Sequence, residues 1–81
     1  MLAVVALGAA CASGHSFTGV ITEVSADHVT VVDGDHTETF TYEPGLVPLD
    51  HLQLHRDEQL PVRVKWETRD GEQVATAIED G

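Results

Sequence analysis

Phe17–Val32, FTGVITEVSADHVTVV, reads as two strands joined by a tight turn. Val20, Thr22 and Val24 alternate with Gly19, Ile21 and Glu23; Ser25-Ala26-Asp27 interrupts the pattern, and Val29 and Val31 resume it. Pairing Val24 with Val29 sets Thr22 opposite Val31 on one mostly apolar face and brings Ile21 and Val32 together on the other. Buried-type residues on both faces suit a strand pair that curls into a small closed barrel.

Downstream, Asp33-Gly34 marks a hairpin, because Gly and Asp tolerate positive φ between two strand-like runs. The third strand then spans His36–Tyr42. Phe40 and Tyr42 share its inner face with His36 and Glu38, while Thr37, Thr39 and Thr41 face water. Pro44-Gly45 ends this strand, and Pro48 keeps a helix from starting earlier. Asp50 followed by Gln53 resembles a capping box and suggests a short helix within His51–Asp57, whereas the alternation of Leu52 and Leu54 with His51, Gln53 and His55 suits an extended segment; the favoured reading is one helical turn packing Leu49 and Leu52 across the barrel mouth. Leu60–Glu67 is a fourth strand with Leu60, Val62, Val64 and Trp66 inward, Arg63 and Lys65 outward, and Pro61 at its start. Arg69-Asp70-Gly71 predicts a three-residue loop with a glycine bulge, which sets Trp66 opposite Val74, Val64 opposite Thr76 and Val62 opposite Ile78, leaving Ala75 and Ala77 outside. The expected fold is all-β: a small five-stranded OB-like Greek-key barrel with one short helix between strands 3 and 4.

The 81 residues carry 14 acidic side chains against 4 lysines and arginines, a formal net charge of −10. Such a field repels phosphate backbones, so a nucleic-acid-binding OB-fold is the least favoured of the three functional readings. A mature chain of roughly 65 residues buries only about 60% of its unfolded surface, which makes its stability marginal. Cys11 is the single cysteine, so no disulfide within the chain can help.

Met1–Ala12, MLAVVALGAACA, is apolar throughout and precedes the polar Ser13-Gly14. It falls short of the about 20 residues a spanning helix needs and fits the apolar core of a signal peptide. No lysine or arginine precedes it, so this reading expects a basic leader upstream. Ala9-Ala10-Cys11 resembles a bacterial lipoprotein signal, in which the cysteine is cleaved to and lipidated; Gly8 stands where an apolar residue is preferred, with Leu7 one place earlier. The competing reading is signal-peptidase cleavage after Ala10-Cys11-Ala12. The expected organisation is a signal over 1–12 with Cys11 as lipidation site, a linker over 13–16 and the barrel over 17–81.

Gly19-x-Ile21-x-x-Val24, Val29-Thr30-Val31, Leu52, Val62-x-Val64-x-Trp66, Gly71 and Ala75-x-x-Ile78 resemble the pattern of small exported bacterial OB-fold-like domains of the DUF5666 type. The likeness runs from Phe17 to Glu79 and implies a five-stranded barrel in a cell-envelope protein, with no catalytic residues. Such domains commonly carry a glycine just before the fourth strand, where this chain has His55-Arg56-Asp57-Glu58.

Three constellations bear on chemistry. His51 and His55 would share one helix face and could hold zinc or copper weakly, with Asp50 or Glu58 as oxygen ligands; an extended segment would keep them about 13 Å apart. His28 and His36 flank the second and third strands and are expected near one another at the sheet edge. Thr37, Thr39 and Thr41, with Arg63 and Lys65, offer polar faces to a partner. Serines lack a nucleophile setting and no carboxylate pair sits on one rigid element, so no enzyme is expected. The reading is therefore an exported, non-catalytic binding or structural module, attached to the membrane through Cys11. It takes an envelope protein or small ligand, as a monomer or an edge-paired dimer. Divalent-metal binding at His51 and His55 is the alternative.

Overall fold

The computed structural model describes residues 15–81, and the signal, cleavage and lipidation readings at Met1–Ala12 lie outside them. Five strands and one helix follow in the order β1 (His15–Val24), β2 (His28–Asp33), β3 (His36–Thr41), α1 (Leu49–Glu58), β4 (Pro61–Arg69) and β5 (Glu72–Asp80). The strands close into a barrel in the order β1-β2-β3-β5-β4, the OB-like Greek-key arrangement expected. Every pairing is antiparallel except β3 with β5, which meet in parallel at Thr41–Val74.

β1 is long enough to serve two partners, pairing its first half with β4 and its second with β2. Gly19 stands near the exchange. A Cβ there would lie 2.4 Å from the Val32 carbonyl oxygen, so only glycine lets the two backbones come this close. Val24 pairs with Val29 as expected, but the register shifts between Ile21 and Glu23. Ile21 therefore faces Val31 and enters the core, and Thr22 is the residue bulged out rather than the partner of Val31.

A second shift, between Lys65 and Trp66, overturns the expected β4–β5 register. The turn has two residues, Asp70 and Gly71, at φ 51° and 82°, so it is the primed turn with both central residues left-handed and Arg69 faces Glu72. Trp66 consequently meets Ala75 and Val64 meets Ile78, with Thr76 as the extra residue. Ala75 is buried in the core instead of lying outside. In the β2–β3 turn, Gly34 and Asp35 are the central residues and only Gly34 has positive φ, which places Asp33 in the ladder opposite His36.

The core is Ile21, Val29, Val31, Phe40, Tyr42, Leu52, Val62, Val64 and Ala75, with Phe17, Val24, Val47, Trp66 and Ile78 packed against it. α1 supplies only Leu52 to that core, beside the buried His55. The helix is longer than the single turn expected, for reasons that lie at its ends. Pro48 caps the start with its carbonyl accepting from the Leu52 N–H at 3.3 Å, and Asp50 makes no capping bond. Gln59 adopts a left-handed φ of 55°, and the Gln59 and Leu60 N–H groups donate back to Arg56 and His55 carbonyls at 3.3 and 2.9 Å. That doubled closure is the usual glycine-terminated helix stop, performed here by glutamine. Leu49 is exposed, so Leu52 alone plugs the mouth.

Candidate functional site

α1 crosses the barrel next to β1, and its inner stripe continues from Leu52 to His55. His51 lies one turn before His55, so the two imidazoles come together with ring centroids 4.7 Å apart. The third member arrives from the far end of the chain. Asp80 closes β5 opposite the buried Val62, and its Oδ1 lies 3.0 Å from His55 Nε2 and 3.5 Å from His51 Nε2. The three potential ligand atoms lie within 4.8 Å of one another.

The environment of these groups is graded. His55 is nearly enclosed, His51 half exposed and Asp80 largely in solvent. His55 Nδ1–H donates to the Leu60 carbonyl at 3.4 Å, a contact that the helix stop creates by folding Leu60 back over the last turn. This leaves Nε2 aimed at Asp80. Beside the cluster runs a groove of about 680 Å³ lined by Leu46, Val47, Pro48, Leu54, Ile78 and His51.

The histidine pair was legible from its spacing; its carboxylate was not. Neither Asp50 nor Glu58 joins the cluster, and Asp80 does. Nothing local to Asp80 announces this role. An Asp-Gly pair read as a two-residue turn would have corrected the register near the turn, but the Thr76 bulge has no such signature.

The other candidate residues are dispersed. Thr37 and Thr39 are exposed on β3, where the Thr39 hydroxyl bonds that of Thr30 at 3.1 Å, and Thr41 is half-buried with its hydroxyl donating to the Gln73 carbonyl at 3.4 Å. Arg63 and Lys65 lie on β4, which β5 separates from β3, so the threonines and the basic pair occupy different faces. Lys65 pairs with Glu79 at 3.4 Å. His28 and His36 do not approach: His28 faces Thr41 and His36 faces Asp33, at opposite ends of the β2–β3 ladder. Trp66 packs at the margin of the core, stacked on His15 at 4.5 Å and near Phe40. Among the described residues its Nε1 is a buried side-chain nitrogen without a hydrogen-bond partner.

A second cleft, of about 580 Å³, opens between the β1–β2 and β4–β5 turns. It is lined by Asp27, Glu43, Asp70 and Glu72 with Arg69 as the one cation, around Thr41 and Tyr42. The Tyr42 hydroxyl donates to the Ser25 carbonyl, and burial, followed by the charge of Asp27, pushes its pKa up. Asp27 is held below the ordinary carboxylate value by its hydrogen bond from His28, at 3.0 Å, and then by that from Ser25. Asp27 therefore keeps its charge to lower pH than an ordinary aspartate.

Compared with known proteins, the chain matches no family model, no curated protein and no solved structure. No helix among the described residues is long and apolar enough to cross a membrane.

Proposed function

We propose that the chain is a non-catalytic binding module, an OB-like barrel held on the outer side of a bacterial membrane by a lipid on Cys11. The observation that carries this is positional: β1 begins at His15, four residues beyond the cysteine of the Ala9-Ala10-Cys11 sequence. Four residues reach at most about 14 Å, so a barrel anchored there rests close to the lipid headgroups. Its ligand-facing surface is the acidic cleft between the β1–β2 and β4–β5 turns, the region where OB-like barrels commonly take ligands. Four carboxylates around one arginine favour a cationic envelope protein segment or amine-bearing small ligand and oppose a phosphate backbone.

The test is the intact mass of the protein from the membrane fraction of a bacterial host, expressed with a basic leader ahead of Met1. A mass matching cleavage before Cys11 plus a diacylglyceryl group is expected. An uncleaved, unmodified chain in the soluble fraction would overturn the anchor and with it the envelope placement.

A further inference from the structure

The cluster at the barrel mouth belongs to neither the anchor nor the acidic cleft. We propose that His51, His55 and Asp80 together hold one borderline divalent cation, zinc or copper(II), which clasps α1 to the last strand of the barrel.

Donor chemistry comes first. Two imidazoles and a carboxylate suit zinc and copper(II), whereas magnesium and calcium prefer sites made of oxygen alone. Copper(I) wants thioethers or thiolates, and no Met or Cys lies among the described residues. Geometry agrees with the donors. Ligands at the usual bond lengths on a tetrahedral ion stand ~3.3 Å apart; the two nitrogen–oxygen separations of 3.0 and 3.5 Å bracket that value, and all three ligand atoms lie within 4.8 Å of one another, a span that a small turn of the half-exposed His51 would close. Asp80, largely in solvent, is free to withdraw slightly and admit an ion between its carboxylate and the two imidazoles.

The support around the ligands is also of the kind metal sites use. The Leu60 carbonyl, 3.4 Å from His55 Nδ1, favours the proton on that nitrogen and so leaves Nε2 to bind. His55 is the rigid anchor because it is buried next to Leu52, while His51 and Asp80 close over it from outside. His51 also lines a groove that opens to solvent. The net charge of −10 concentrates cations around the whole molecule, whatever their identity.

The bulge at Thr76 gives the arrangement its consequence. Because β5 changes register there, Asp80 stands opposite Val62 within reach of the helix histidines, so an ion would join two elements that are remote in sequence. Binding the folded barrel alone, it would raise the melting temperature.

The experiment titrates the full chain, purified metal-free in mild detergent, with zinc chloride and copper(II) chloride by calorimetry, and melts each sample at excess metal with magnesium chloride as control. One ion per chain and a melting temperature raised by several degrees are expected for zinc or copper and not for magnesium. His51→Ala and Asp80→Asn, both at exposed positions, should each weaken binding at least about tenfold and abolish the thermal shift. Binding or a shift that survives both substitutions places the ion elsewhere and overturns the proposal. An equal shift with magnesium, or no binding by the unaltered chain at hundredfold excess, overturns it as well.

Discussion

The two hairpins, β2–β3 and β4–β5, are both closed by two-residue turns containing a glycine at positive φ, yet they build different surfaces. From Asp33–His36 back to His28–Thr41 the first ladder is unbroken, and every second residue faces inward: Val29 and Val31 on one strand, Phe40 on the other. In the second, the buried Ala75 is followed by the partly buried Ile78 after a step of three where Thr76 bulges, and the exposed Asp80 stands two places further on. The same step appears in β1, from Ile21 to Val24 across Thr22. A bulge bends its strand and sharpens the local twist, which five short strands need in order to close. Both hairpins supply core, Val62, Val64 and Ala75 coming from the bulged one; the bulged hairpin adds curvature, which brings a carboxylate beside the helix histidines.

Phe40→Ala tests the regular hairpin and carries the largest expected effect. Phe40 is fully buried against Phe17 and Trp66, so its truncation should lower stability by ~3–5 kcal/mol in a urea melt. The partly buried Ile78→Ala in the bulged hairpin should lose less; an equal loss would mean that both hairpins carry the core alike.

Deleting Thr76 attacks the difference directly. The β4–β5 ladder would become regular with its pairs kept, Trp66 opposite Ala75 and Val64 opposite Ile78, so the strand would lose only the bend and added twist that the bulge imposes. A lower denaturation midpoint is expected because closing the barrel then strains the straightened strand, together with weaker zinc binding as Asp80 is drawn away from α1. A denaturation midpoint that did not move would show the bulge to be incidental.

The smallest effect sits at the seam between the hairpins, where the β3–β5 ladder has the single pair Thr41–Val74. Gln73 stitches this seam, its amide donating to Glu38 at 3.0 Å and to the Thr39 carbonyl at 3.1 Å. Glu38 is held below its ordinary 4.5 first by Gln73 and then by His36. A carboxylate whose folded pKa lies under its unfolded value adds stability above pH 4.5 and gives it up as the pH falls through the folded pKa. Gln73→Ala should therefore return Glu38 most of the way to 4.5 in an NMR titration and flatten the acid limb of the melt; an unmoved Glu38 would leave the seam to the backbone alone.

Much of this was legible along the chain. Alternation and turn residues are local signals, and they placed the Val24–Val29 pair, the inner face of β3, Pro61 at the head of β4 and a helix between β3 and β4. The turn into β4 is made by Gln59 in the left-handed region, one residue beyond His55-Arg56-Asp57-Glu58, and no local turn signal marks it. Misreadings fall where one residue decides a register. Reading Asp70-Gly71 as part of a three-residue loop displaced β5, and the pattern Val74, Thr76, Ile78 then seemed to continue it. Leu49 misled because helix phase, set by Pro48 and the Gln59 stop, turns it to solvent while Leu52 and His55 point inward.

The sequence by itself determined the class of fold, the order of its elements and the pairing of His51 with His55, because each follows from spacing within a few residues of chain. Only the tertiary structure decided that Asp80 completes their cluster and that the threonines lie apart from Arg63 and Lys65. Those facts depend on how a closed barrel distributes its curvature among bulges, and closure is a property of all five strands together.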